Sequence, residues 1–170
     1  MCSSDLGVEL AVADINAAGG VLGADIEWLP GDSGDNGEVA NATVDRLLAE
    51  DVDGFIGAAS SGVSLTVIDK ITQAGKIHFS PANTSPTFTS YEDNGLYFRT
   101  APSDSLEMAA IARQAEGTGA RTVAVGYLDD PYGRGLADEL DAALRARSLT
   151  TTASVGFRPD QDDLTDVSRE

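Results

Sequence analysis

The feature that most restricts this chain is a regular alternation. Short apolar runs take turns with segments whose apolar residues recur at helical spacing. Helical patterns fall at 8–16, 38–50, 63–74, 104–116 and 136–147, and another opens at 162. Strand-like runs fall at 24–29, 52–56, 76–79, 96–100, 122–128 and 150–157. The two kinds separate because helices repeat every 3.6 residues and strands every two. Strands that alternate with helices over short connections imply parallel sheets built from right-handed βαβ units. The fold class is therefore α/β. A composition change at 100–104 predicts a boundary between two lobes.

Within this frame, Val39, Val44, Leu47 and Leu48 are expected on the inner face of the second helix, and Val67, Ile68 and Ile71 on that of the third. Gly75 is the expected stop of the third helix. Ser103 or Asp104 is the expected N-cap of the fourth. The run at 24–29 alternates as a half-covered strand does. The run at 122–128 is expected to be the clearest buried strand.

Charge narrows the partners. Eleven Lys and Arg stand against 28 Asp and Glu, a formal net charge of -17. Phosphate recognition needs a basic face, so nucleic acid is not an expected partner. An anionic membrane surface is disfavoured for the same reason. No stretch reads as a membrane span. Cys2 is the single cysteine and His78 the single histidine. An intrachain disulfide, a thiolate metal cluster and zinc chemistry are not expected. His78 sits in an apolar run, where a packed or edge-strand residue is the expectation rather than a catalytic base. No Gly-x-Ser-x-Gly elbow accompanies it. No metal and no cofactor are expected.

Two polar loops follow apolar runs. The first is Gly57-Ala58-Ala59-Ser60-Ser61-Gly62. Its glycine spacing is that of a phosphate loop, but Val63 stands where lysine belongs. Ser60 and Ser61 open a helix, where free N–H groups and the helix dipole favour a carboxylate; alternatively Ser61 only caps that helix. The second is Ser80-Pro81-Ala82-Asn83-Thr84-Ser85-Pro86-Thr87-Phe88-Thr89. Two prolines keep it out of helix and central strand. The Ala82 carbonyl and the Thr84 hydroxyl and N–H provide acceptors and donors, which an amino acid head group needs. In open α/β sheets such loops at strand ends line the ligand crevice.

Two further loops carry acidic residues. The loop at 31–37 loosely matches a calcium loop, but Gly34 and Thr43 occupy ligand positions, which excludes it. After the run at 122–128 come Asp129, Asp130, Pro131, Tyr132 and Gly133. The aspartates are placed to hold magnesium in an enzyme or phosphoacceptor, or to cap the next helix. Tyr132 offers a flat face and a hydroxyl to a ligand.

Taken together, these residues resemble the type I solute-binding proteins of ABC transporters, in particular the branched-chain amino acid and amide receptors. The resemblance rests on the order of five segments. They are the run at 7–20, Ile56-Gly57 with Ser60-Ser61, Ser80-Pro81-Ala82-x-Thr84-x-Pro86, Phe98-Arg99-Thr100, and Tyr132-Gly133-x-Gly135. It implies two Rossmann-like lobes hinged over a cleft, each with a parallel sheet. Residues 1–6 would be a non-native leader or scar, and 7–100 a ligand-binding lobe without its first strand. Residues 101–104 would be a hinge crossing, and 105–170 the start of a second lobe, so the chain reads as an internal fragment incomplete at both ends.

The resemblance also implies roles. Ser61 would hold a ligand carboxylate, with Ser60 beside it. Ala82 would give its carbonyl to the ammonium, and Thr84 would contact both groups. Asn83 replaces the small apolar residue common in amino acid receptors and is placed at the ligand site. Tyr132 would close from the second lobe, and the acidic partner of the ammonium would lie beyond Glu170. The implied protein is a non-enzymatic, extracytoplasmic receptor that delivers a small polar solute to an ABC permease. The solute would be a branched-chain or related amino acid or amide. The alternatives are a ligand-sensing domain of the same fold and, less favoured, an enzyme or phosphoacceptor using Asp129 and Asp130.

Overall fold

The computed structural model describes residues 3–158. Helix α1 spans Ser3–Ala17, α2 Gly37–Ala49, strand β1 Gly54–Ile56, α3 Ser61–Gln73 and β2 Ile77–Ser80. A 3-10 helix at Pro86–Ser90 precedes β3 Tyr97–Arg99. Then come α4 Asp104–Gly117, β4 Thr122–Leu128, α5 Pro131–Arg145 and β5 Thr150–Phe157. The helix expected from 162 lies outside the described residues. The first turn of α1 includes residues 3–6, which the sequence assigned to a leader.

Strands β1, β2 and β3 form one parallel sheet in that order, and β4 and β5 form a second parallel pair. The α/β expectation and the parallel sheets hold. In the first sheet, Phe55, His78 and Tyr97 are in register and buried on one face. Phe55 and Tyr97 meet the apolar stripe of α3. Val63, Val67 and Ile71 pack with Phe55 and with Ala40, Val44 and Leu47 of α2. Ile68 packs with Phe88 and Tyr97. A strand exposes alternate residues to opposite faces, so Ile56, Ile77 and Phe98 lie on the other face, each about half exposed at 48%, 47% and 50%.

Three expectations are corrected. The run at 24–29 is not a strand. Its alternation marks a face, but a ladder needs a neighbour. Here the Asn16 amide takes the neighbour's place, accepting from the Ile26 N–H at 2.7 Å and donating to the Ile26 carbonyl at 2.9 Å. Val39 faces outward, and Ala40 takes the inner position on α2, because the helix starts at Gly37 under an Asn36 cap. Strand β4 buries only Val125 fully, since among the described residues its sheet has two strands and its core is completed by α4, α5 and Leu149.

Helix ends follow local chemistry. Asn36, Ser60, Ser103 and Asp130 each accept a first-turn N–H as N-caps. Helix α5 starts five residues before the expected position because Asp130 caps it and Pro131 fits its first turn, where no N–H is needed. Gly75, with φ +73°, reverses the chain after α3 as expected. His78 is fully buried on the central strand β2 and donates from Nε2 to the Gly57 carbonyl at 2.6 Å. It is a packed histidine, edge-on to Tyr97 at 5.2 Å.

Candidate functional site

The loop after β1, the loop after β2 and the start of α5 converge on one cavity of about 220 Å³. Ala59, Ser60, Ser61, Ala82, Thr84, Asp130 and Tyr132 line it. Five of the six residues singled out from sequence are therefore brought together. Each sits where a strand end or a helix start puts it.

Ser60, rather than Ser61, caps α3; its Oγ accepts from the Val63 N–H at 3.4 Å. This leaves Ser61 for another task. Its Oγ accepts from the N–H groups of Thr84 and Ser85, both at 3.3 Å, and so ties the first loop to the second. The Thr84 N–H is thereby engaged within the protein. The Ser61 hydroxyl keeps its own proton to donate. The N–H groups of Ser61 and Gly62 meet no acceptor among the described residues and lie at the positive end of the α3 dipole.

The second loop supplies acceptors. The Ala82 N–H is held by Ser80 Oγ at 3.3 Å, while its carbonyl accepts no hydrogen bond among the described residues. Arg99 on β3 locks the loop from behind, donating to the Ser85 carbonyl at 2.7 Å and to Thr89 Oγ1 at 2.9 Å. Thr84 Oγ1 donates to the Tyr132 hydroxyl at 3.3 Å, a contact across the two sheets' territories. Burial raises the Tyr132 hydroxyl pKa; the hydrogen bond from Thr84 opposes that shift, and the carboxylates of Asp104 and Glu107 add to it.

Asp104 is a residue that sequence reasoning missed. The sequence offers it only as a possible cap, and Ser103 does the capping. Asp104 is 3% exposed, its N–H donates to the Thr84 carbonyl at 2.9 Å, and its Oδ2 has no partner. An unpartnered carboxylate oxygen in such a place is costly unless a cation approaches. The available signal was the contrast between two adjacent cap candidates, only one of which a helix needs.

Asn83 departs from its expected place. It is fully buried and does not line the cavity. Its amide is engaged with Ala58, Ala59 and Tyr97 behind the cavity wall. The Asp129–Asp130 pair is also engaged. Asp130 Oδ1 caps the Gly133 N–H at 2.6 Å, and Asp129 pairs with Arg134 at 2.7 Å. Among the described residues no group of three or more His, Cys, Asp and Glu is placed to hold a metal. Gly133 allows the close approach of α5 to β4, because a Cβ there would overlap the Leu128 carbonyl oxygen.

Two parallel α/β units that present polar loops and a facing aromatic to one small cavity define a solute-binding fold. The chain belongs to the family described as periplasmic binding protein, whose model matches residues 2–170. It is 31% identical over 159 residues to Leu/Ile/Val-binding protein homolog 2 of Brucella abortus (strain 2308), covering 93% of this chain and 43% of that protein. Among solved structures it is similar to an ABC transporter substrate-binding protein from Desulfitobacterium hafniense in complex with Leu. That match has 30% identity and a TM-score of 0.76, over 96% of this chain and 48% of the other. It is also similar to the branched-chain amino acid transporter substrate-binding protein of Streptococcus pneumoniae in complex with isoleucine. There the identity is 25% and the TM-score 0.79, over 95% and 46% of the two chains. The chain thus spans less than half the length of these relatives. The two-lobed fold expected from sequence is that of the family.

Proposed function

We propose that the chain forms the head-group half of an extracytoplasmic receptor that captures an amino acid for an ABC importer. The convergence of Ser61, Ala82, Thr84 and Tyr132 on one cavity carries this reading. The ligand carboxylate sits at the start of α3, against the Ser61 hydroxyl and the N–H groups of Ser61 and Gly62. The ammonium faces the Ala82 carbonyl and Thr84 Oγ1, with the buried Asp104 carboxylate as its nearby negative charge. Tyr132 covers the pair from the second lobe, and residues 101–104 act as a hinge crossing. Binding and release need no catalytic base, and the one histidine is engaged inside the sheet. The names of the relatives support a branched-chain aliphatic ligand, carried to a permease.

Isothermal titration against a panel of amino acids and amides tests the reading. Micromolar or tighter binding of an aliphatic amino acid is expected, with a loss of about tenfold or more in Ser61→Ala, where one hydrogen bond to a charged group is removed. Asp104→Asn should weaken ligands that carry an ammonium and spare the matching des-amino acids. No binding across the panel refutes the amino acid assignment.

A further inference from the structure

The carbonyls of Gly57, Ala58 and Ala59 are three in a row, and all three are held by side chains from the interior. His78 Nε2 holds the first. Ser64 Oγ at 3.2 Å, Ser80 Oγ at 2.9 Å and Asn83 Nδ2 at 3.1 Å hold the second. Asn83 Nδ2 holds the third, at 3.0 Å. Asn83 thus joins two successive peptide groups of this loop to the neighbouring loop.

The Asn83 amide has one workable orientation. Its Oδ1 accepts from the Tyr97 hydroxyl at 3.0 Å. Burial pushes the Tyr97 hydroxyl up to about 12, so it remains a protonated donor. Turning the amide over would set Oδ1 against the Ala58 and Ala59 carbonyl oxygens, neither of which can donate to it. In a planar trans peptide the N–H points opposite to the carbonyl. With the Ala58 and Ala59 carbonyls drawn inward, the N–H groups of Ala59 and Ser60 are turned outward. They join those of Ser61 and Gly62, and successive outward N–H groups make an anion-binding concavity.

We propose that Asn83 is a positioning residue for carboxylate binding: it aims the N–H groups of the 57–62 loop at the cleft without touching the ligand. The inference rests on the head-group reading for its ligand, but not for its geometry. A small apolar residue at this position would leave the Ala59 carbonyl unheld and the loop fastened only at Gly57 and Ala58.

The test uses the full chain, with Asn83→Ala and Asn83→Asp, and has a ligand-free arm and a ligand arm. In the first, backbone 15N order parameters are read across 57–62. Wild type is expected near the rigid value of about 0.85, and Asn83→Ala below about 0.6 in this loop, with α3 beyond Ser64 unchanged. In the second, L-leucine affinity is expected to fall about tenfold in Asn83→Ala. Asn83→Asp keeps the shape but turns an oxygen toward the two carbonyls. Relative to wild type at each pH, its loop order and affinity should recover as the pH falls and the introduced carboxyl gains a proton to donate. Such a reversal ties the defect to the donated hydrogen bond rather than to side-chain volume.

Unchanged loop order in Asn83→Ala overturns the proposal. So does loosening that spreads equally through α3 and β2, or an Asn83→Asp variant indifferent to pH. A wild type that binds no L-leucine, with the loop still loosened in Asn83→Ala, retains the positioning role and refutes the branched-chain ligand.

Discussion

The two sheets treat their cavity residues differently. In the first, the loops after β1 and β2 are bonded to each other and to the strands beneath, through Ser61, Ser80, Asn83 and Arg99. In the second, Tyr132 and Asp130 stand on the first turn of α5, held by a cap and by the close approach at Gly133. One side is a cross-linked wall, and the other is a helix end presented to it. The helix end meets that wall through the Tyr132 hydroxyl, to which Thr84 Oγ1 donates at 3.3 Å.

The comparison breaks first if the two cores are not separate. Ile68 and Leu144 are each fully buried, in different clusters. Ile68→Ala should cost about 3 kcal/mol, as large-to-small core changes do. Local hydrogen exchange should rise around α3 and β2 and stay at wild-type rates in α5, and Leu144→Ala should give the reverse. Equal loss of protection in both halves would merge the two regions into one.

Gly133→Ala sharpens the second half of the comparison. The new Cβ would overlap the Leu128 carbonyl oxygen, so the start of α5 must shift, at a cost of about 2 kcal/mol. Thermal unfolding should register the loss. Any ligand affinity that depends on Tyr132 should fall with it, while Ser61 contacts persist. The caps come next in size. Asp130→Ala should remove about 1 kcal/mol from the second half, and Ser60→Ala a similar amount from the first. Ser60→Ala should also disturb the cavity, because Ser60 lies in the wall.

The smallest effect is one of pH. Burial lowers the His78 pKa from 6.5, and the Gly57 carbonyl opposes that shift. The unfolded chain then binds more protons between the lowered value and 6.5, so stability rises with pH in that window. The wild type should lose stability as the pH falls below 6.5 and level off once the folded-state value is passed. His78→Gln should flatten this dependence in denaturant titrations of the first half and leave the second half unchanged.

Much of the architecture was legible in the chain. The helices at α2, α3 and α4, the strand β5 and the parallel order came from periodicity and punctuation alone. The cavity residues were legible as types in places: hydroxyls at a helix start, a proline-fixed loop, an aromatic beside an aspartate. What failed was whatever depended on a neighbour. The 24–29 run alternates as a strand does, but Asn16 binds its backbone instead. Strand β4 is apolar enough to be buried, but among the described residues its sheet has one partner strand. Asp104 read as a cap because nothing local separates it from Ser103.

Sequence by itself determined the fold class and brought Ser60, Ser61, Ala82, Thr84 and Tyr132 to notice. These follow from local rules of spacing, capping and turn chemistry, which act over a few residues. Only the tertiary structure decided what each residue does with its hydrogen bonds. It turned Asn83 from a presumed ligand contact into a staple, closed the Thr84 N–H onto Ser61, and left an oxygen of Asp104 without a partner. Those outcomes depend on groups about 20 or more residues apart meeting at hydrogen-bond distance, and no local pattern encodes which of several donors arrives first.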